Sequence, residues 1–209
     1  MNQSQFMAAA NITADLAVRW FNPLVSAMKE FGIDTPKRQA AFIAQIGTES
    51  AGFKQLSESF NYSVAGLAVF GTRLTAAQRE QLGRGNGELA LSPARQQAIA
   101  NIVYGGRYGN TQPGDGYKFR GRGLKQVTFH DNYLVCGKVL GLDLIANPDL
   151  LTQDIPAARS AGWFWQANGC NAFADSGDFT GLTKRINGGF NGLADRQARL
   201  KIAEKVLCA

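Results

Sequence analysis

Apolar residues along this chain recur mostly at helical intervals, and few stretches alternate as strands do. Residues 13 to 31 carry Leu16, Val18, Trp20, Phe21, Leu24 and Val25, with Pro23 expected to kink or divide the run. Thr35-Pro36 supplies an N-cap and a proline at the first helical position, opening a helix that ends near Glu49. Thr75 with Gln78 reads as a capping box for a short helix to about Leu82. Ser92-Pro93 starts another, striped by Ile99, Ile102 and Val103. Helical patterns return at 129 to 140, at 155 to 167 behind an Asp154 cap, at 178 to 187 and at 192 to 207. L-G-R-G-N-G-E-L, residues 82 to 89, is a flexible turn, and residues 105 to 123 are glycine-rich and irregular. No internal repeat and no long linker divides the chain. The pattern predicts a mainly α protein with a large glycine-rich loop at its centre, and such loops in compact domains usually carry function.

Composition narrows the classes. At 209 residues with 45% apolar residues, the chain can bury one sizeable core, and its 24 glycines imply many turns and close backbone approaches. No run is long enough to span a membrane, so no stable membrane insertion is expected. The N-terminus lacks a basic segment followed by an apolar one, so no signal peptide is expected and synthesis is read as cytoplasmic. Cys136, Cys170 and Cys208 are odd in number and lack paired spacing, and His130 is the only histidine. They give no zinc site and no disulfide framework, so no metal and no cofactor are expected. The net charge of +6 calls for an anionic partner or none. Arg120, Arg122 and Lys125 lie beside Tyr117 and Phe119, a cluster that could track nucleic acid or line a sugar groove. No nucleic-acid-binding motif accompanies it, and no nucleic-acid partner is expected.

Glu49 and Glu58 are the most informative pair. One ends an apolar helix and the other lies in a polar loop nine residues on. Glycoside hydrolysis needs such a pair, one carboxyl to protonate the leaving oxygen and one ionised partner. Phe42, Gln45 and Ile46 put Glu49 near the core face of its helix, where an apolar wall would raise its pKa. Glu58, among Ser57, Ser59 and Asn61, reads as the better solvated and ionised member. No phosphate-binding loop is present, and a lone His130 suits a structural or groove-side role better than a nucleophile's base. Trp163, Phe164 and Trp165 read as core, with one of them free to flank a groove.

Four segments then resemble one family. F-R-G-R-G-L-K-Q-V-T-F-H-D-N-Y, residues 119 to 133, resembles the signature of glycoside hydrolase family 19, which holds plant-type chitinases and phage and bacterial lysozyme-like enzymes. A-Q-I-G-T-E-S-A-G-F resembles its catalytic-acid segment and L-S-E-S-F-N-Y-S its second-carboxylate segment. R-I-N-G-G-F-N-G-L-A-D-R resembles its C-terminal segment. The matches fall in family order, and the chain is most similar to the phage endolysin branch.

The resemblance implies a lysozyme-like bilobal fold formed by a single catalytic domain. Residues 1–63 and 116–209 would form the larger lobe and 64–115 the smaller, with a groove between them. It implies Glu49 as general acid, Glu58 as general base of an inverting reaction, and Thr128 as a hydroxyl holding the attacking water. Thr128 equally suits an N-cap for the helix at 129. Gln126, Asn132, Tyr133 and Asn187 match groove residues that hydrogen-bond N-acetyl sugars, though Asn187 could simply end a helix before Gly188. Arg196 matches an arginine that balances the carboxylates. Two positions depart from the family: Gly47-Thr48 stands where many members have a histidine, and Asn191 where plant-type members have a carboxylate. Arg196 is therefore expected to pair with Glu58 alone. The expected substrate is the glycan strand of peptidoglycan, cut between N-acetylmuramic acid and N-acetylglucosamine by a monomeric endolysin released from the host cytoplasm. A chitinase and a non-catalytic wall-binding protein are the rival readings.

Overall fold

A computed structural model describes residues 1–209 and is mainly helical, with eleven α-helices and no extended strand. They are α1 (Gln3–Ala10), α2 (Ala14–Glu30), α3 (Pro36–Glu49), α4 (Ala76–Leu82), α5 (Pro93–Tyr104), α6 (Asp115–Lys118), α7 (His130–Leu140), α8 (Asp154–Ala167), α9 (Cys170–Ser176), α10 (Phe179–Asn187) and α11 (Leu193–Leu207). Capping chemistry fixes several starts. The Thr35 hydroxyl accepts from the Arg38 N–H at 3.3 Å, Thr75 and Gln78 close a reciprocal box, and Ser92 caps Arg95. One expectation fails: Asp154 does not cap α8, and its carboxylate is held by Arg19 at 2.7 Å. Of the two outcomes expected at Pro23, division of the run does not occur, since Pro23 lies inside one α2.

Helix α3 is the axis of the molecule. Residues 40 to 47 are buried on every side, so the helix is enclosed rather than amphipathic. It packs against α11, α1, α9 and α10, while α2 lies on α8 and α1. Phe6, Trp20, Phe42, Ile46, Phe53 and Trp165 fill the main core, and Phe42 meets Trp165 edge to face at 5.3 Å. A second cluster joins Phe31, Phe119, Tyr133 and Leu140, and a third gathers Phe60, Leu67, Leu74, Leu91, Ile99 and Val103. No helix is long and apolar enough to cross a membrane. Cys136 and Cys170 are buried free thiols, each pushed up to about 12 by desolvation, and Cys208 is exposed.

Three short backbone segments stand in for a sheet and position the site. The Glu58 N–H donates to Gly121 O at 2.8 Å, and the Gly123 N–H donates to Leu56 O at 2.9 Å. Arg122 and Val127 exchange both backbone bonds, and the Phe129 N–H reaches Phe119 O. The glycine-rich loop is therefore folded on itself and stitched to the segment bearing Glu58.

Candidate active site

Glu49 ends α3, and the chain leaves it through a strained turn. Ala51, Gly52 and Phe53 all have positive φ, at 50°, 73° and 65°. For non-glycine residues this is costly and persists only when contacts enforce it. Here the Ser50 hydroxyl accepts from the Phe53 N–H, and the Trp20 indole donates to the Phe53 carbonyl at 2.9 Å. Strain of this kind concentrates at functional sites, and the turn lies between the two carboxylates.

The Glu49 carboxylate meets two cations rather than an apolar wall. Arg196 donates to Oε1, and Lys125 Nζ lies 3.1 Å from Oε2; the Glu49 and Lys125 side chains are each 11% exposed. Arg196 is nearly fully buried and also bonds Gln45 Oε1 and the Asn191 carbonyl. Gln45 in turn donates to Thr183 at 2.9 Å, so a buried polar chain anchors the arginine. This corrects the expected pairing: Arg196 serves Glu49, not Glu58, because α11 lies against α3. Asn191 contributes through its backbone, where its side chain offers no charge. Thr48, in the Gly47-Thr48 pair that stands where many members of the resembled family have a histidine, donates to Asp195 at 2.7 Å.

Glu58 is half-buried, contrary to its expected solvation. Desolvation raises its pKa, opposed by the Tyr104 hydroxyl, the Gly121 N–H and the charge of Arg120. The Tyr104 hydroxyl lies 2.9 and 3.1 Å from the two carboxylate oxygens, and the Gly121 N–H donates at 3.2 Å. Glycine at 121 leaves room for both side chains, since a Cβ there would sit 2.7 Å from Gln126 Oε1, the movable end of that side chain, and 3.3 Å from Glu58 Oε2. Both carboxylates therefore reach the same loop, Glu58 at Gly121 and Glu49 at Lys125.

The remaining expected residues divide. Gln126, at φ 59°, Thr128 and Asn132 line a cavity of about 360 Å³ together with Lys125, Trp163, Phe164 and Asn168. The Thr128 hydroxyl donates to Gln126 O at 3.0 Å and caps nothing, since α7 begins at His130. Asn132 donates to Thr128 O at 2.8 Å. Asn187 closes α10, and its buried Oδ1 has no hydrogen-bond partner. Tyr133 is the clear correction. It is fully buried, donating to Arg120 O at 2.6 Å and accepting from Arg122, so it braces the loop and cannot touch a sugar. His130 is structural, its N–H bonded to Asn110 and its ring against Phe119.

Sequence reasoning missed Tyr104 and the partner of Lys125. Tyr104 ends α5 and carried no signal, being 46 residues from Glu58. Lys125 stood inside the matched signature and was read only as one charge of a basic cluster.

A helical scaffold that turns two glutamates toward one glycine-rich loop suits a two-carboxylate glycosidase, and comparison with known proteins defines the class. The family model described as chitinase class I matches residues 94–192. A glycosyl hydrolase family 19 domain-containing protein of Haemophilus influenzae is 35% identical over 188 residues, 86% of this chain and 86% of that one. The chain belongs to glycosyl hydrolase family 19 and is a chitinase-like glycosidase. Endochitinase At2g43610 of Arabidopsis thaliana is 40% identical over 79 residues, which cover 37% of this chain but only 27% of the plant protein. Chitinase C of Streptomyces griseus HUT6037 shares the fold, with a TM-score of 0.60 at 20% identity, over 100% of this chain and 76% of that one.

Proposed function

We propose that the protein is an endolysin-type enzyme that hydrolyses the β-1,4 bond between N-acetylmuramic acid and N-acetylglucosamine in peptidoglycan, with inversion. The observation that carries this reading is the convergence of Glu49 and Glu58 on one loop, through Lys125 and Gly121. Glu58 is the base: burial strengthens its affinity for a proton, and the ideal base titrates near its working pH. Glu49 is the acid, and donation to the leaving oxygen requires its Oε2 to part from Lys125. Thr128 orients the attacking water, for which inverting enzymes keep the carboxyls roughly 6.5–9.5 Å apart. Gln126 and Asn132, which line the cavity, supply neutral hydrogen bonds for sugar hydroxyl and acetamido groups, whereas the Asn187 Oδ1 is enclosed and faces no sugar in this conformation. The net charge of +6 suits an anionic wall. Synthesis in the host cytoplasm, followed by release to the wall and lysis, completes the proposal.

The test is reducing-end release from purified sacculi by wild type, Glu49→Gln and Glu58→Gln, with fragment masses and the anomer of the first product. Muramic acid at the new reducing ends, α-anomer first, and loss of activity in both folded variants is the expected result. Cleavage of chitin with none of sacculi would instead favour the chitinase reading, which the similarity to a plant endochitinase supports.

A further inference from the structure

The cavity walled in part by Lys125, the partner of Glu49, is lined mostly by neutral groups. Gln126, Asn132 and Asn168 offer amides, and Trp163 and Phe164 offer aromatic rings. These suit the hydroxyls, acetamido group and apolar face of an N-acetylated hexosamine. Lys125 is the exception, a cation on the wall of a cavity that a neutral polysaccharide would not require.

Lys125 is also the less constrained of the two cations on Glu49. Arg196 is fixed by three partners and almost fully enclosed. The Lys125 ammonium has three donors, uses one on Glu49 Oε2 at 3.1 Å, and lies over the Phe164 ring at 4.5 Å. Its flexible stem lets the ammonium swing between acceptors, where a guanidinium fork in a buried network does not.

We propose that this cavity is a subsite for an N-acetylated hexosamine bearing an acidic substituent, and that Lys125 exchanges Glu49 for the oxygen of that substituent. Binding the acidic sugar draws Lys125 into the cavity and frees Glu49 Oε2 to face the leaving oxygen. The glycan itself thereby arms the acid, and a neutral strand leaves the ion pair closed. The inference rests on the peptidoglycan reading and names what distinguishes that substrate from chitin.

The experiment uses monosaccharides, which contain no bond to cleave. N-acetylmuramic acid, its methyl ester and N-acetylglucosamine are titrated into the full chain, with amide chemical shifts reporting affinity and location. N-acetylmuramic acid should bind at least about tenfold more tightly than N-acetylglucosamine, perturbing Lys125, Gln126 and Asn168. The neutral ester should lose that preference on unaltered protein, Lys125→Met should abolish it, and Lys125→Arg should retain part of it. Equal affinities, a preference that survives in the ester or in Lys125→Met, or shifts lying elsewhere would overturn the subsite. The two readings fail separately. Preference for the acid without hydrolysis of sacculi defeats the cleavage proposal alone, and hydrolysis without preference defeats the subsite alone.

Discussion

Burial raises the pKa of Glu58, and the Tyr104 hydroxyl is the largest single contact opposing it. Tyr104→Phe removes both hydroxyl contacts while keeping the ring against Phe60 and Phe129. The carboxyl then titrates at still higher pH. A base must be ionised to act, so the acid limb of the kcat/KM profile should move up, activity below it falling about tenfold per unit of displacement. An unmoved limb would mean that Glu58 is not the titrating base. The same group has a stability signature. A carboxyl whose folded pKa exceeds its unfolded one binds more protons in the native state, so its contribution is full below the unfolded value, about 4.3, and is lost as pH rises through the folded value. Glu58→Gln removes that loss. Its denaturation midpoint relative to wild type should therefore be higher at pH 7 than at pH 4, measured by urea titration at both.

Local signals in the sequence translated well into elements, and tertiary ones did not. Thr35-Pro36, Thr75-Gln78 and Ser92-Pro93 each marked a helix start, because a cap is satisfied within three residues of itself. Helix α1 went unread, since Gln3–Ala10 is short and carries Phe6 as its one large buried side chain. Tyr133 and Arg196 matched family positions, yet where their polar ends point depends on which helix lies opposite. Motif order cannot supply that. The candidate carboxylates were legible as residues, while their environments were not: Glu49 is largely buried but ion-paired and Glu58 is half-buried, because solvation belongs to the packed loop and not to flanking serines. That loop makes two predictions. Gly121→Ala sets a methyl against the movable end of Gln126 and 3.3 Å from Glu58, so its cost should lie toward the low end of the about 1–3 kcal/mol typical of overpacking. Activity should fall further than stability, as the proposed base is crowded; thermal melts and kcat on one preparation check this. Tyr133→Phe leaves the Arg120 carbonyl without its phenol donor and should cost roughly 1–3 kcal/mol. A change in sugar affinity with no loss of stability would restore Tyr133 to the groove.

At the scale of the whole molecule, 22 basic residues against 16 acidic ones give the protein a positive field that extends beyond any single contact. Its range is set by solvent ions, with a screening length of about 10 Å at 0.1 M salt and about 3 Å at 1 M. A field of this sign concentrates an anionic polymer at the surface and speeds encounter, an effect on kcat/KM more than on kcat. If the proposed peptidoglycan activity holds, hydrolysis of anionic sacculi should therefore slow steeply as salt rises, through KM, while hydrolysis of a neutral chitin oligosaccharide should change little. Lys125→Met separates the field from the cavity, because it lowers the net charge only from +6 to +5, with 21 basic residues remaining against 16 acidic. If the field governs encounter, the salt slope of kcat/KM survives in this variant even as its preference for an acidic sugar disappears. If the slope disappears with the preference, one ammonium beside Glu49 accounts for both, and the surface charge plays no part in meeting an anionic substrate.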